Sequence, residues 1–331
     1  MYKSILASAL ITLSASSAFA FGWQDQINAG IAAQIQWNTI IKQIQYDVNY
    51  ASRYFNHKSQ GATDYNASTY AAFDASRHIG NDGSGIKVLV KDIHQGAGSH
   101  GESVTSVITT LAPGAVIDLE PNQIENAAEG YNNIVNESLG FDLVNDFDDG
   151  LAALNRHTWG DWTSQPITQS EIGSLAPLHR IASEYGRLGS KNALFVTAAA
   201  NHYQDCNDLL NCNSLISKHV AFDETVIAVG ALNDNGTELD AYSNKAGLFQ
   251  DFYLAAPVKT DNYTRGTSLA APVVSAAAVL VMDTFNIYDP ETTRDILFDT
   301  ADDLGAPGTD AVFGRGRLNV HRALSPIGAL R

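Results

Sequence analysis

Gly266-Thr267-Ser268-Leu269-Ala270-Ala271-Pro272-Val273-Val274 opens a stretch whose reading decides the fold. Beyond it, residues 276–282 are again all small or apolar, so a helix over 269–285 is apolar on nearly every side. Such a helix belongs at the centre of a domain and not on its surface. Gly266 lets the backbone and a ligand approach closely. Ser268 stands where the helix begins, near the positive end of its macrodipole. Pro272 is expected in the first turn, where its missing N–H costs nothing. Taken alone, a serine at a helix start is an N-cap.

Outward from this helix, short aliphatic runs alternate with longer helical segments, the signature of a parallel α/β sheet. Strands are expected at 86–90, 115–119, 133–136, 193–198, 225–230 and 252–255, and further helices at 103–111 and 175–188. The fold class is therefore α/β, a parallel sheet sandwiched by helices. No internal repeat or low-complexity tract interrupts it.

The N-terminal fifth reads differently. Met1-Tyr2-Lys3 followed by an apolar run from Ile5 to Leu13 and by Ala18-Phe19-Ala20 has the layout of a secretory signal cleaved after Ala20. In 21–66, Trp37, Ile41, Ile44, Val48, Ala51 and Phe55 recur at four and three spacing, one face of an amphipathic helix. We expect this extension to pack against the main domain, and a pro-segment is the competing reading. The expected organisation is a signal at 1–20, a helical extension at 21–66, the main domain at 67–325 and a tail at 326–331.

Composition narrows the function classes. A chain of 331 residues with 45% hydrophobic content can bury a large core, which excludes a disordered chain. The net charge of −16, with no basic cluster, argues against a nucleic-acid partner. After signal removal no integral membrane span is expected. Two cysteines cannot form a cysteine-only zinc site. The acidic patch Asp142, Asp146, Asp148 and Asp149 matches no calcium-loop spacing and reads as a solvated surface.

Seven positions, Gly266 to Pro272, are more than a capping serine explains. They resemble the nucleophile motif of the subtilisin-like serine peptidases, the subtilases, written G-T-S-M-A-A-P, with Leu269 in place of Met. The upstream motifs follow in that family's order. Val88-Leu89-Val90-Lys91-Asp92 looks like the strand ending in the catalytic Asp, and His100-Gly101-Glu102-Ser103-Val104 like H-G-T-H-V. Asn136-Glu137-Ser138-Leu139-Gly140 is similar to the substrate strand ending in S-L-G. Phe195-Val196-Thr197-Ala198-Ala199-Ala200-Asn201 is similar to the strand ending in the oxyanion Asn, and Gly314-Arg315-Gly316-Arg317-Leu318-Asn319-Val320 matches a framework segment.

The resemblance implies an exported serine endopeptidase, secreted or periplasmic, acting on peptides or proteins. It implies Ser268 as nucleophile, His100 as base, Asp92 as the residue orienting the imidazole, and Asn201 as oxyanion donor. It also implies a P1 pocket walled by Ser138, Leu139 and Gly140 and by Ala198, Ala199 and Ala200. Alanine at 200, where the family has Gly, narrows that pocket toward medium apolar side chains. Cys206 and Cys212 are expected to pair in an oxidising compartment. No cofactor is required. Calcium is common in the family, but no ligand set maps onto this chain, and no other metal is assigned.

Several features depart from the family pattern. Ile93-His94 stand where Thr/Ser-Gly is usual, which makes His94 a competing base. Lys91 is unusual on a buried strand. Only seven residues separate Asp92 from His100, a span that still reaches about 26 Å when extended. Two rival readings stand beside the peptidase: a peptide-binding protein that does not cut, and a serine hydrolase of non-peptide esters or amides.

Overall fold

Every expected strand whose residues can be described is present, within one or two residues at each end. The structure, a computed structural model, describes residues 23–92, 94, 98–121, 133–138, 193–201, 225–258 and 265–325. In chain order the elements are α1 (Trp23–Ser59), α2 (Asp64–His78), β1 (Lys87–Asp92), α3 (His100–Leu111), β2 (Val116–Pro121), β3 (Ile134–Glu137), β4 (Leu194–Ala198), β5 (Val226–Leu232), β6 (Tyr253–Pro257), α4 (Thr267–Phe285), α5 (Pro290–Asp299) and α6 (Val320–Ala323). The expected helix at 175–188, the acidic patch, Leu139, Gly140 and both cysteines lie outside the described residues, as do the expected signal and the C-terminal tail.

All strand pairs are parallel, in the order β2-β1-β3-β4-β5-β6. Parallel strands covered on both faces read as continuous aliphatic runs, as Val88-Leu89-Val90 and Leu194-Phe195-Val196 do. The chain steps from β1 to β2 on one side and then returns to place β3 on the other. That reversal opens a crevice beyond the carboxyl ends of β1 and β3, where open α/β sheets bind ligands.

α4 is the central helix, buried from Thr267 to Met282 except at Ser268, and packed against α3, β3, β4 and β5. By length and composition it could cross a membrane, but it is the core helix of this domain, with 78% of its most apolar window buried. Pro272 is the sixth residue of α4 and not in its first turn as expected. It therefore removes the N–H that would have bonded the Ser268 carbonyl.

The chain divides into two compact units, Met1–Val48 and Asn49–Arg331. In the first, Trp37, Ile41, Ile44 and Val48 are 37–65% exposed, and in the second Phe55 is 69% exposed. The apolar series along α1 is thus not a packed face within either unit. The segment of α1 inside the second unit meets α2 through a different, polar face: Tyr50 Oη lies 2.9 Å from Ser68 Oγ, Tyr54 donates to Asp64, and His57 Nε2 lies 3.0 Å from Asp74. α2 was not anticipated. Its buried side is built largely of Ala67, Ala71, Ala72 and Ala75, too small to stand out as an apolar stripe.

At the other end, the Gly314–Asn319 segment runs beside β6, with Arg315 N–H donating to the Tyr253 carbonyl. Gly314 has φ +61°, and a Cβ there would come within 2.5 Å of the Tyr253 carbonyl oxygen. Both facts require glycine.

Candidate active site

The predicted residues stand at the carboxyl ends of β1, β3 and β4 and at the starts of α3 and α4, where the structure bonds His100 to Asp92, Ser268 to Ser138 and Asn201 to Thr267. Asp92 is the last residue of β1 and is fully buried. His100 is the first residue of α3. Ser99 caps that helix by accepting from Glu102 N–H, while Glu102 accepts from Gly98 N–H, a variant of the capping box. The cap fixes the direction in which the helix leaves the loop, and His100 meets Asp92 with Nδ1 donating to Oδ1 at 2.7 Å. The bond leaves Nε2 as the lone-pair nitrogen of a ring 34% exposed. It also holds the imidazole above the ordinary histidine range, with burial working against it. His94 has no part in this pair: its Nε2–H donates to the Val90 carbonyl at 3.2 Å.

Ser268 is the second residue of α4 and half-buried. It is no N-cap, because Gly266 occupies that position and makes no side-chain cap bond. Its hydroxyl donates instead to the Ser138 carbonyl at 2.9 Å. A hydroxyl carries one proton, so in this arrangement it is donated to Ser138 and not to His100. Ser138 follows directly on β3 and is buried.

Asn201 lies just beyond β4 and is exposed. Its Oδ1 accepts from Thr267 N–H at 2.8 Å and from Thr267 Oγ at 3.0 Å. Both contacts occupy the oxygen, so the orientation of the amide is fixed and Nδ2 is left as its other end. Gly266 has φ 167°, ordinary extended backbone, so conformation does not demand glycine here. Nor does space: a Cβ on Gly266 would sit 3.4 Å from Asn201 Nδ2 and 3.7 Å from Ser268 N, ordinary van der Waals contact, so these two nitrogens flank one small volume beside Ser268.

Ala198 ends β4, Ala199 is buried with its N–H on the Val229 carbonyl, and Ala200 has φ +77°. An L-residue in the left-handed region is strained, so this backbone conformation favours glycine. Of the six predicted pocket residues, the four described stand at the carboxyl ends of β3 and β4, neighbouring strands.

Lys91 also finds its explanation. In register it pairs with Glu137 on β3, and both are buried, at 6% and 2% exposure. Thr267 was not anticipated as a site residue, although its place beside Ser268 in the motif was a signal. Among the described residues no group of three or more His, Cys, Asp or Glu could hold a metal ion.

Comparisons with known proteins bear on what this arrangement belongs to. The Neisserial autotransporter lipoprotein NalP of Neisseria meningitidis serogroup B is 26% identical over 226 residues, 58% of this chain and 20% of that protein. An extracellular serine protease of Serratia marcescens is 38% identical over 60 residues, 18% of this chain and 6% of its own. This chain therefore spans a fifth or less of the length of these relatives. Among solved structures, the patellamide maturation protease PatA is 22% identical with a TM-score of 0.48, covering 73% of this chain and 96% of that one. The sequence profile described as the Subtilase family matches residues 27–316, most of the chain. The chain belongs to the subtilase family.

Proposed function

We propose that this protein is an exported serine endopeptidase in which Ser268 attacks the peptide carbonyl, His100 moves the proton, Asp92 orients the imidazole and Asn201 receives the oxyanion. The observation that carries the reading is the 2.7 Å bond from His100 Nδ1 to buried Asp92, which fixes the tautomer a general base needs. An extended substrate adds a strand at the end of β3 and displaces the Ser268 hydroxyl from the Ser138 carbonyl. The freed hydroxyl then meets His100 Nε2, a contact that commonly forms only in the substrate complex. As Oγ attacks, the proton passes to Nε2. Negative charge on the former carbonyl oxygen falls between Asn201 Nδ2 and Ser268 N–H. Collapse expels the amine, which takes the proton from His100, and water repeats the sequence on the acyl-enzyme.

Export is supported by the signal-like layout of 1–20 and by the autotransporter and extracellular relatives. In that setting Cys206 and Cys212 pair, the extension covers 21–66 and the peptidase domain 67–325. No cofactor takes part, and melting curves with and without chelator test this. Small apolar P1 walls at Ala198–Ala200 favour Leu or Met over Phe and Tyr.

The deciding experiment treats the purified mature protein with a fluorophosphonate probe and with casein. Labelling that is lost in Ser268→Ala, together with casein cleavage, is expected. Labelling without cleavage of any peptide would favour the esterase reading, and neither labelling nor cleavage would refute the enzyme.

A further inference from the structure

A buried polar chain runs beneath the candidate site and joins two residues that no step above uses. Ser268 and Ser275 are seven apart on α4, two helical turns, and so share one face. Asn136 and Ser138 are two apart on the strand line of β3 and share one side. α4 packs on β3, which brings the two pairs together. Ser275 Oγ donates to Asn136 Oδ1 at 2.9 Å, Asn136 Nδ2 donates to Ser138 Oγ at 3.0 Å, and Ser268 Oγ donates to the Ser138 carbonyl at 2.9 Å. The backbones of α4 and β3 close the ring. Asn136 and Ser275 are fully buried.

We propose that Asn136 and Ser275 are positioning residues for Ser268, acting through Ser138. The proposal rests on the peptidase reading above.

The rest of α4 is buried by Ala, Val, Leu and Met, whose attraction for the sheet has no direction. An apolar pair at 136 and 275 would fill the same space. What a hydrogen-bonded pair adds is a fixed register of helix against strand. Ser275 anchors Asn136 from the helix, and Asn136 anchors Ser138 within the strand. The Ser138 carbonyl is thereby held at one distance from the start of α4, where Ser268 stands. Pro272 lies between Ser268 and Ser275 and weakens the helix ladder there, so register set by hydrogen bonds to β3 matters more than in an unbroken helix. Displacements of about 1 Å at a reacting atom are enough to cost about a hundredfold in rate.

The test compares Asn136→Ala, Ser275→Ala and the double variant with wild type. Peptide hydrolysis is expressed per active site titrated with a fluorophosphonate, and thermal melts are recorded alongside. Each single variant is expected to lose about tenfold in kcat with KM within about twofold. The double variant is expected to lose no more than Asn136→Ala alone, as residues acting in one chain do. A purely structural pair would lower Tm and the titrated fraction while leaving kcat per titrated site at the wild-type value, and that result overturns the proposal. Multiplicative losses in the double variant overturn it too. If Asn136→Ala fails to fold, Ser275→Ala, which deletes a single oxygen, decides alone. A wild type that neither labels nor cleaves overturns the proposed function and this inference with it, whereas an active wild type with unchanged variants overturns only the inference.

Discussion

Replacing Ala200 with glycine tests backbone strain and pocket shape at once. Ala200 has φ +77°, and its conformation is held from both sides: Ala199 N–H donates to the Val229 carbonyl at 2.9 Å, and the Ala200 carbonyl accepts from Asn244 N–H at 3.1 Å. With these bonds in place the residue cannot relax by rotating, so the left-handed penalty of about 1–2 kcal/mol stays in the folded state. Glycine removes it but adds freedom to the unfolded chain, which costs about 0.4–1 kcal/mol. The difference favours Ala200→Gly by about 0.5–1 kcal/mol, a rise in Tm of roughly 1–3 °C for a domain of this size. Ala199→Gly is the control. Ala199 is fully buried and has no positive φ, so the same change there should lower Tm. The second readout is kcat/KM on matched peptides with Phe or Leu at P1. Removing a methyl from a pocket wall is worth about tenfold or more, so the Phe-to-Leu ratio should rise by that factor. A fall in Tm at 200 would refute the strain argument, and an unchanged ratio or a wild-type preference for Arg would refute the pocket.

Further outcomes follow from the geometry. Because Asp92 raises the His100 pKa and the base must be neutral, kcat/KM should rise with pH through a midpoint above about 6.5; Asp92→Asn should lower kcat by about 10⁴ and move that midpoint down. The stability supplied by the same pair has the opposite sign, being complete below the unfolded pKa and lost as pH climbs through the folded one. Asn201→Ala should cost about 10²–10³ in kcat, the magnitude known for such a donor in the family's namesake. Thr267→Val, which removes one of the two bonds holding the Asn201 oxygen, should cost only about two- to tenfold, read in kcat with KM unmoved. Gly314→Ala should destabilise the fold by about 3 kcal/mol or more in a denaturant titration, since the new methyl meets the Tyr253 carbonyl at a left-handed position.

The strands and the central helix were legible because burial on both faces leaves its mark residue by residue. Val88-Leu89-Val90 and the run from Leu269 to Met282 permit no other placement in a soluble domain. The order of Asp92, His100, Asn201 and Ser268 was equally plain, since each sits in a motif. What the sequence hid was pairwise. Nothing local in the sequence says that the Ser268 hydroxyl rests on the Ser138 carbonyl, or that Ser275 reaches Asn136 across 139 positions. The series from Trp37 to Phe55 announces an amphipathic helix, but periodicity says nothing about what covers it. Pro272 shows a smaller failure of the same kind, because the first turn was counted from Leu269 while α4 starts at Thr267.

Lys91 shows how a strand's two-residue period turns such an anomaly into a design. Alone, a lysine beside the predicted Asp on an interior strand counts against the assignment. Register changes its meaning: Lys91 and Glu137 are in-phase neighbours, so their side chains leave the same face of the sheet, both shielded from water. Successive side chains alternate. Charges at 91 and 137 on one face therefore send Asp92 and Ser138 to the other, the face that Val90 and Asn136 share and on which Ser275 of α4 bonds Asn136. A slip of one residue in β1 would turn Asp92 to the wrong face and set Lys91 against α4, burying a charge among apolar side chains. The buried charge at 91 thus penalises the wrong face, and the right one leaves Asp92 facing His100.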